Sequence, residues 1–341
     1  MDTINRQWLL RERPVGMVGP EHFEQVESAL PEPDLAAGQV LQKTLVLSFD
    51  PAMRGWLMDV PSYLPPVAIG EPMRASGVSQ VVRSENPALP VGTLTQGLTG
   101  WQEYSIGDPA GLVPPAALPE GTPPNLALSV FGSTSLTAYF GLLDVGQPQP
   151  GETVLVSGAA GATGSVAAQI ARIKGCQVVG IAGGEEKCNW LRDACKLHQV
   201  IDYKSEDLNR RLALVCPQGV DVFFDNVGGD TLEAALNHMN DFGRIALCGA
   251  ISGYNDEQPR PGPRNLMLLT TRRLRMQGFI VLDYLQRSAE AIDALTGWVM
   301  DGEIAWREDV QEGFDNIPAT LQRLFSGANT GKQLLKLADP A

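Results

Sequence analysis

Apolar positions along the 341-residue chain fall into two textures that meet near residue 131. Before that point, short apolar stretches such as Val40–Ser48, Gly77–Arg83 and Trp101–Ile106 are separated by proline-rich turns at Pro31–Asp34, Ser62–Pro66 and Ser84–Pro90. Short runs bounded by turn residues predict a small, irregular β domain. Beyond it, strand-length apolar runs alternate with helical patterns, as in βαβ units feeding a parallel sheet. The predicted strands are Thr153–Ser157, Gln177–Ala182, Gln199–Ile201, Val220–Asp225, Arg244–Gly249 and Met276–Leu282. Six strands with intervening helices fit a doubly wound sheet, so the fold class is α/β with a second, β-rich domain. Near the end, Phe314, Ile317, Leu321, Leu324 and Phe325 recur at helical spacing. Gly327 and a predicted strand Gln333–Leu337 follow, a tail expected to pack on the first domain.

Composition narrows the function. Apolar residues make up 44% and charged residues 19%, and 36 glycines with 25 prolines fall short of a low-complexity chain, so wholesale disorder is excluded. With 26 basic against 39 acidic side chains the net charge is −13, which repels phosphate backbones and anionic lipid; neither nucleic acid nor membrane is an expected partner. No uninterrupted apolar run approaches the roughly 18–20 residues of a bilayer span, nor does the N-terminal segment carry a signal-peptide core, and a cytoplasmic protein is expected. Five cysteines, all between Cys176 and Cys248 and without a C-x-x-C pair, imply no disulfide framework. His22, His198 and His238 lie far apart, so no metal site is expected.

The strongest local signal runs from Glu152 to Arg172, where a β-branched strand enters Gly158-Ala-Ala-Gly161-Ala-Thr-Gly164 and then a small-residue helix. Glycines let backbone approach a pyrophosphate, and the following helix N-terminus offers unpaired N–H groups. The spacing is G-x-x-G-x-x-G, and such a turn also serves tight strand–helix packing without a ligand. At the tip of the next strand an NAD site usually carries an acid for the ribose hydroxyl. Here the tip is Gly183-Gly184 with Lys187 just beyond, an arrangement that suits the 2′-phosphate of NADPH. The alternatives are that Lys187 is an exposed helix lysine, and that Glu185 or Glu186 binds the ribose.

These blocks occur with others in order: Leu47–Gly55, Leu136–Leu143, Phe224–Gly229, Cys248–Asn255, Gly262–Asn265, Gly278–Val281 and Gly327–Lys332. Together they resemble the zinc-free medium-chain dehydrogenase/reductases, and within them the NADP-dependent alkenal/one oxidoreductases, which include leukotriene B4 12-hydroxydehydrogenase/15-oxoprostaglandin reductase and the plant double-bond reductases. The resemblance implies a GroES-like β domain at residues 1–130 and 309–341 around a Rossmann domain at 131–308. It places the pyrophosphate on Gly161, Ala162, Thr163 and Gly164, and the 2′-phosphate on Lys187 and Tyr203. Asn226, Cys248, Gly249, Ala250, Ile251, Ser252 and Tyr254 are implied to line the remaining cofactor, with Phe279, Ile280, Val281 and Asn329. A homodimer through the sheet edge near Gly278–Tyr284 is implied as well. Zinc alcohol dehydrogenase is excluded, because the first 175 residues hold no cysteine and a single histidine. Ser133-Thr-Ser135 departs from the Pro-Gly that usually precedes the Leu-Thr-Ala-Tyr segment.

Reduction of an α,β-unsaturated ketone or aldehyde delivers hydride to the β-carbon and leaves charge on the carbonyl oxygen. Tyr254 is the candidate catalytic residue, since a phenol is a neutral donor near neutral pH and can hydrogen-bond a developing oxyanion. The competing role for it is packing or bonding to the cofactor ribose. Met53, Trp56 and Tyr63 are candidates to line an apolar substrate cleft; the competing reading puts them in the β-domain core. Cys248 is expected to be a small apolar residue rather than a nucleophile. Two other functions stay open: a zinc-free NADPH quinone oxidoreductase, and a low-turnover nucleotide-binding regulator.

Overall fold

The computed structural model describes residues 4–258 and 260–341. The chain divides into two compact units, one running through Leu128 and resuming at Glu308–Ala341, the other Ser129–Arg307.

In the first unit every residue of the strand Val40–Ser48 except Lys43 is buried, so the usual polar alternation is lost. The strand pairs antiparallel with Ser76–Arg83, Tyr104–Gly107 and Lys332–Lys336. The tail thus returns to this sheet, beginning one residue earlier than its pattern predicts. The helix Ile317–Ser326 ends at Gly327 in the left-handed region, a common helix stop. Its Ile317, Leu321 and Leu324 join Leu10, Phe23, Leu47, Phe49 and Leu335 around the fully buried Trp101. Trp101 belongs to this core rather than to a strand: its ring stands 4.7 Å from Phe23, and the ladder begins only at Tyr104.

The second unit carries six parallel strands: β1 (Thr153–Val156), β2 (Gln177–Ala182), β3 (Gln199–Asp202), β4 (Val220–Asp225), β5 (Met239–Leu247) and β6 (Arg275–Gly278). Their order, β3-β2-β1-β4-β5-β6, is that of a Rossmann sheet, with the reversal at β1. Leu155, Val179, Ile201, Phe223 and Ile245 bury one face against Leu212, Leu232 and Leu236 of the flanking helices. Two predicted boundaries move. β5 starts at Met239 because the strand runs through a break at Phe242, whose φ is +63°, where the polar Asn240-Asp241 pair reads as a turn. β6 stops at Gly278 because the chain winds into a short helix over Val281–Arg287. Among the described residues one stretch, Pro124–Gly146, is long and apolar enough to cross a membrane, and 61% of its most apolar window is buried inside the fold.

Candidate nucleotide-binding and active site

The glycine turn follows β1. Gly158 takes φ +57°, and Gly161 caps the helix Ala162–Ile173 in an extended conformation. The helix opens with the bond from Ser165 N–H to the Gly161 carbonyl at 3.0 Å, so the amides of Ala162, Thr163 and Gly164 form its open end. A Cβ on Gly164 would stand 2.3 Å from the Gly158 oxygen and 2.9 Å from the Ala159 Cα. The third glycine therefore seats the helix against the turn, whereas Gly161 meets only the Gly158 oxygen, at 3.2 Å.

One buried carboxylate organises the neighbouring loops. Asp225, at the end of β4 and fully buried, accepts from Ser157 Oγ at 2.6 Å and from the amides of Val227 (3.0 Å) and Gly228 (3.1 Å). Its backbone oxygen accepts from Cys248 and Gly249 at 2.8 and 3.1 Å. Burial holds its carboxyl above the usual carboxylate range, against the pull of the Ser157, Val227 and Gly228 donors. Asn226 adds Nδ2 to the Ser157 carbonyl at 2.7 Å. The ends of β1, β4 and β5 are thereby tied together.

From there, Ile251 donates to the Asn226 oxygen, and Ser252 donates to the Val227 oxygen through both N–H (3.1 Å) and Oγ (2.7 Å). The Tyr254 hydroxyl accepts from the Ala250 amide at 3.1 Å, and a Cβ on Gly249 would meet that hydroxyl at 2.9 Å. Glycine at 249 is what admits the phenol. Burial pushes the Cys248 thiol up to about 12, and Asp225 pushes the same way, so this cysteine is no nucleophile at neutral pH. Phe279 lies just past β6, its ring edge-on to Phe224 at 6.2 Å and pressed where a Cβ on Gly141 would stand, at 2.0 Å. Ile280 is extended, and Val281 opens the short helix. Ser133–Ser135, the departure from the family pattern, forms the first turn of the helix Ser133–Phe140, with Ser135 Oγ donating to the Ser129 oxygen at 3.3 Å.

At the tip of β2, Gly183 lies under the exposed Tyr203 ring, whose atoms stand 2.7–2.9 Å from the position of an added Cβ. Lys187 lies half-buried in the first turns of the helix Glu185–Asp193. Glu185 and Glu186 are exposed on that turn, and Glu186 sits 3.4 Å from Arg307. The structure thus brings the glycine turn, Asn226, the 248–254 loop and Phe279 to the carboxyl ends of β1, β4, β5 and β6, and Tyr203 to the end of β2.

The first unit holds the other candidates. Met53 is 1% exposed and packs in the core of this unit. Trp56 is partly buried, donates from Nε1 to the exposed Tyr63 hydroxyl at 3.1 Å and stacks with Arg74. Asn329 Nδ2 donates to the Gly331 oxygen at 3.0 Å. Sequence reasoning passed over two features. One is the Ser157–Asp225 link, signalled by an acid ending an apolar strand. The other is Lys332, 3% exposed, whose Nζ reaches Asp50 at 2.5 Å and the Phe49 oxygen at 3.2 Å, joining two family-like blocks.

Residues 6–114 match a family model described as the N-terminal domain of oxidoreductase, and residues 162–297 one described as zinc-binding dehydrogenase. Among the described residues no group of three His, Cys, Asp or Glu side chains could hold a metal. NADPH-dependent curcumin reductase of Escherichia coli is 41% identical over 98% of this chain and 97% of its own. Prostaglandin reductase 1 of Rattus norvegicus is 40% identical over 97% of this chain and 98% of its own. The crystal structure of CurA from Vibrio vulnificus in complex with NADPH superposes with a TM-score of 0.91 at 40% identity, covering 98% of this chain and all of that one.

Proposed function

From the premise that the chain belongs to the zinc-independent medium-chain dehydrogenase/reductases related to curcumin, prostaglandin and alkenal reductases, we propose that it reduces the C=C bond of α,β-unsaturated ketones and aldehydes with NADPH. The observation that carries the reading is a full-length match, near 40% identity, to enzymes named NADPH-dependent curcumin reductase, prostaglandin reductase and NADP-dependent 2-alkenal reductase. Two features of the chain fit the dinucleotide: the helix end at Ala162–Gly164, approached without side chains, and the bare Gly183 tip covered by Tyr203. When bound, NADPH supplies the hydride that reaches the β-carbon of the substrate.

The chain's own residues do the rest. The amides of Ala162, Thr163 and Gly164 hold the pyrophosphate at the positive end of the helix, beside Gly161, whose own amide is taken by the Gly158 oxygen at 3.0 Å. Lys187 and Tyr203 hold the 2′-phosphate. Asn226, the segment from Cys248 to Ser252, and Phe279, Ile280 and Val281 line the remainder. Tyr254 donates a hydrogen bond to the carbonyl oxygen as negative charge gathers there and keeps its proton, and the α-carbon of the enolate then takes a proton from water. Trp56 and Tyr63 form the apolar and hydrogen-bonding surface offered to the substrate. The protein works in the cytoplasm as a homodimer through the open edge of β6 near Gly278–Tyr284. In support, three of that strand's four residues are exposed, as an unpaired edge awaiting a partner would be. Sedimentation checks the dimer, and a monomer at working concentration would count against it.

The reaction itself is tested by reducing an aryl enone with NADPH deuterated at the transferable position and locating the label by NMR. Deuterium on the β-carbon is expected; deuterium on the carbonyl carbon would replace this reading with a carbonyl reductase.

A further inference from the structure

The tip that distinguishes the two coenzymes is pinned by a carboxylate from the neighbouring strand. Asp202 ends β3, and its Oδ1 accepts from two amides: Gly184 N–H at 2.9 Å and Lys204 N–H at 3.0 Å. Gly184 has φ +95° and caps the helix that carries Lys187. An added Cβ there would meet nothing within 4 Å, so the bond to Asp202, rather than crowding, fixes the loop. On the other side Tyr203 lies between Asp202 and Lys204. Tyr203 is 55% exposed with its ring over Gly183, and its own amide donates to the Ala182 oxygen at 3.1 Å. The loop beyond is closed on the same residue, with Ser205 and Glu206 amides on the Asp202 carbonyl and the Asp202 amide on Glu206.

We propose that Asp202 is the positioning residue for coenzyme choice: by holding the Gly184 and Lys204 amides on one oxygen, it fixes where Lys187 and Tyr203 meet the 2′-phosphate. The inference rests on the reading of those two residues given above. An acid beside this tip looks suited to NAD, which is bound through its ribose hydroxyl. Here, though, Oδ1 is already engaged by backbone donors, and those donors, Gly184 foremost, hold the carboxyl below the usual carboxylate range. What Asp202 supplies is geometry. Its charge, if anything, opposes a phosphate. An asparagine offers the same carbonyl oxygen to both amides without that charge, whereas an alanine offers neither.

The test is equilibrium binding of NADPH and of NADH, followed by fluorescence titration, to the wild-type chain and to Asp202→Ala, Asp202→Asn and Lys187→Ala. Asp202→Ala is expected to weaken NADPH by about tenfold, the scale of one displaced charge-assisted bond, and NADH by less than about twofold. Asp202→Asn is expected to keep the NADPH-to-NADH ratio at or above the wild-type value. Equal losses for both coenzymes in Asp202→Ala, no loss for either, or a collapsed ratio in Asp202→Asn would overturn the proposal. Lys187→Ala separates this from its premise. If it spares the ratio, the 2′-phosphate reading falls and takes the proposal with it. If it lowers the ratio while Asp202→Ala does not, the proposal alone falls. Asp202→Ser, whose oxygen is too short to span both amides, repeats the measurement should the alanine variant not fold.

Discussion

Replacing Gly164 with alanine separates two things that glycines do in the turn after β1. The new methyl carbon would stand 2.3 Å from the Gly158 oxygen and 2.9 Å from the Ala159 Cα, and neither neighbour is a side-chain end that can swing aside. An ordinary carbon–oxygen contact is about 3.3 Å or longer, so the start of the helix must retreat by roughly 1 Å. Overpacking of this kind costs about 1–3 kcal/mol. At ~2–4 °C per kcal/mol for a domain of this size, the melting temperature should fall by about 2–12 °C. The same retreat carries the Ala162–Gly164 amides away from the phosphate they are proposed to hold. Hydrogen bonds to charged groups are worth about 1.5–3 kcal/mol, so NADPH affinity should drop by roughly tenfold or more. Gly161→Ala is the companion. Its methyl would meet only one atom, at 3.2 Å, and its φ of −78° suits any residue, so it should cost less than about 1 kcal/mol of stability through the cap while still crowding the phosphate. Differential scanning fluorimetry with and without NADPH measures both quantities. A Gly164→Ala protein that melts and binds like wild type would refute the reasoning.

Three further outcomes are expected. Tyr254→Phe removes the hydroxyl that sits over Gly249 and should lower turnover by about 10²-fold, the usual loss for an oxyanion donor, with NADPH affinity nearly unchanged; unchanged steady-state turnover would remove Tyr254 from the chemistry. Met53→Ala should cost about 2–5 kcal/mol, because the side chain is 1% exposed within the core, and a variant with wild-type melting but altered KM for the acceptor would restore Met53 as a substrate residue. For Asp225 the pH sign follows from its raised pKa. Its contribution to stability is fully present below the ordinary carboxylate range and is lost as pH rises through the higher folded-state value. Asp225→Asn should therefore be least stable relative to wild type in acid and gain on it toward neutrality, as read from denaturant midpoints; a difference independent of pH would contradict the burial argument.

The fold was legible where periodicity and turn chemistry agree. Runs such as Val220–Asp225 alternate with helical patterns, and a strand leading into three glycines has few structural uses. Boundaries were harder wherever the chain departs from its local preference for a tertiary reason. Asn240-Asp241 reads as a turn, yet the strand passes through it on a positive φ at Phe242. Trp101 reads as strand and is drawn into the core by Phe23 and Phe49. For the candidate site, motif and resemblance point to Gly161, Gly164, Lys187 and Tyr254. They do not point to Ser157, Asp225 and Asp202, because the role of these three is to bond backbone amides that only the fold brings near. The faint signal they left was an acid at the end of an apolar strand, twice, at the carboxyl edge of the sheet.

The central claim, NADPH-dependent reduction of a conjugated double bond, is tested most directly by following loss of NADPH absorbance with the purified protein. A medium-chain alkenal, an aryl enone, a quinone and a saturated aldehyde are run in parallel, and the set is repeated with NADH. The account predicts turnover of the two conjugated carbonyls, a clear preference for NADPH and none of the saturated aldehyde. Turnover of the quinone alone, or of no acceptor with either coenzyme, would contradict it.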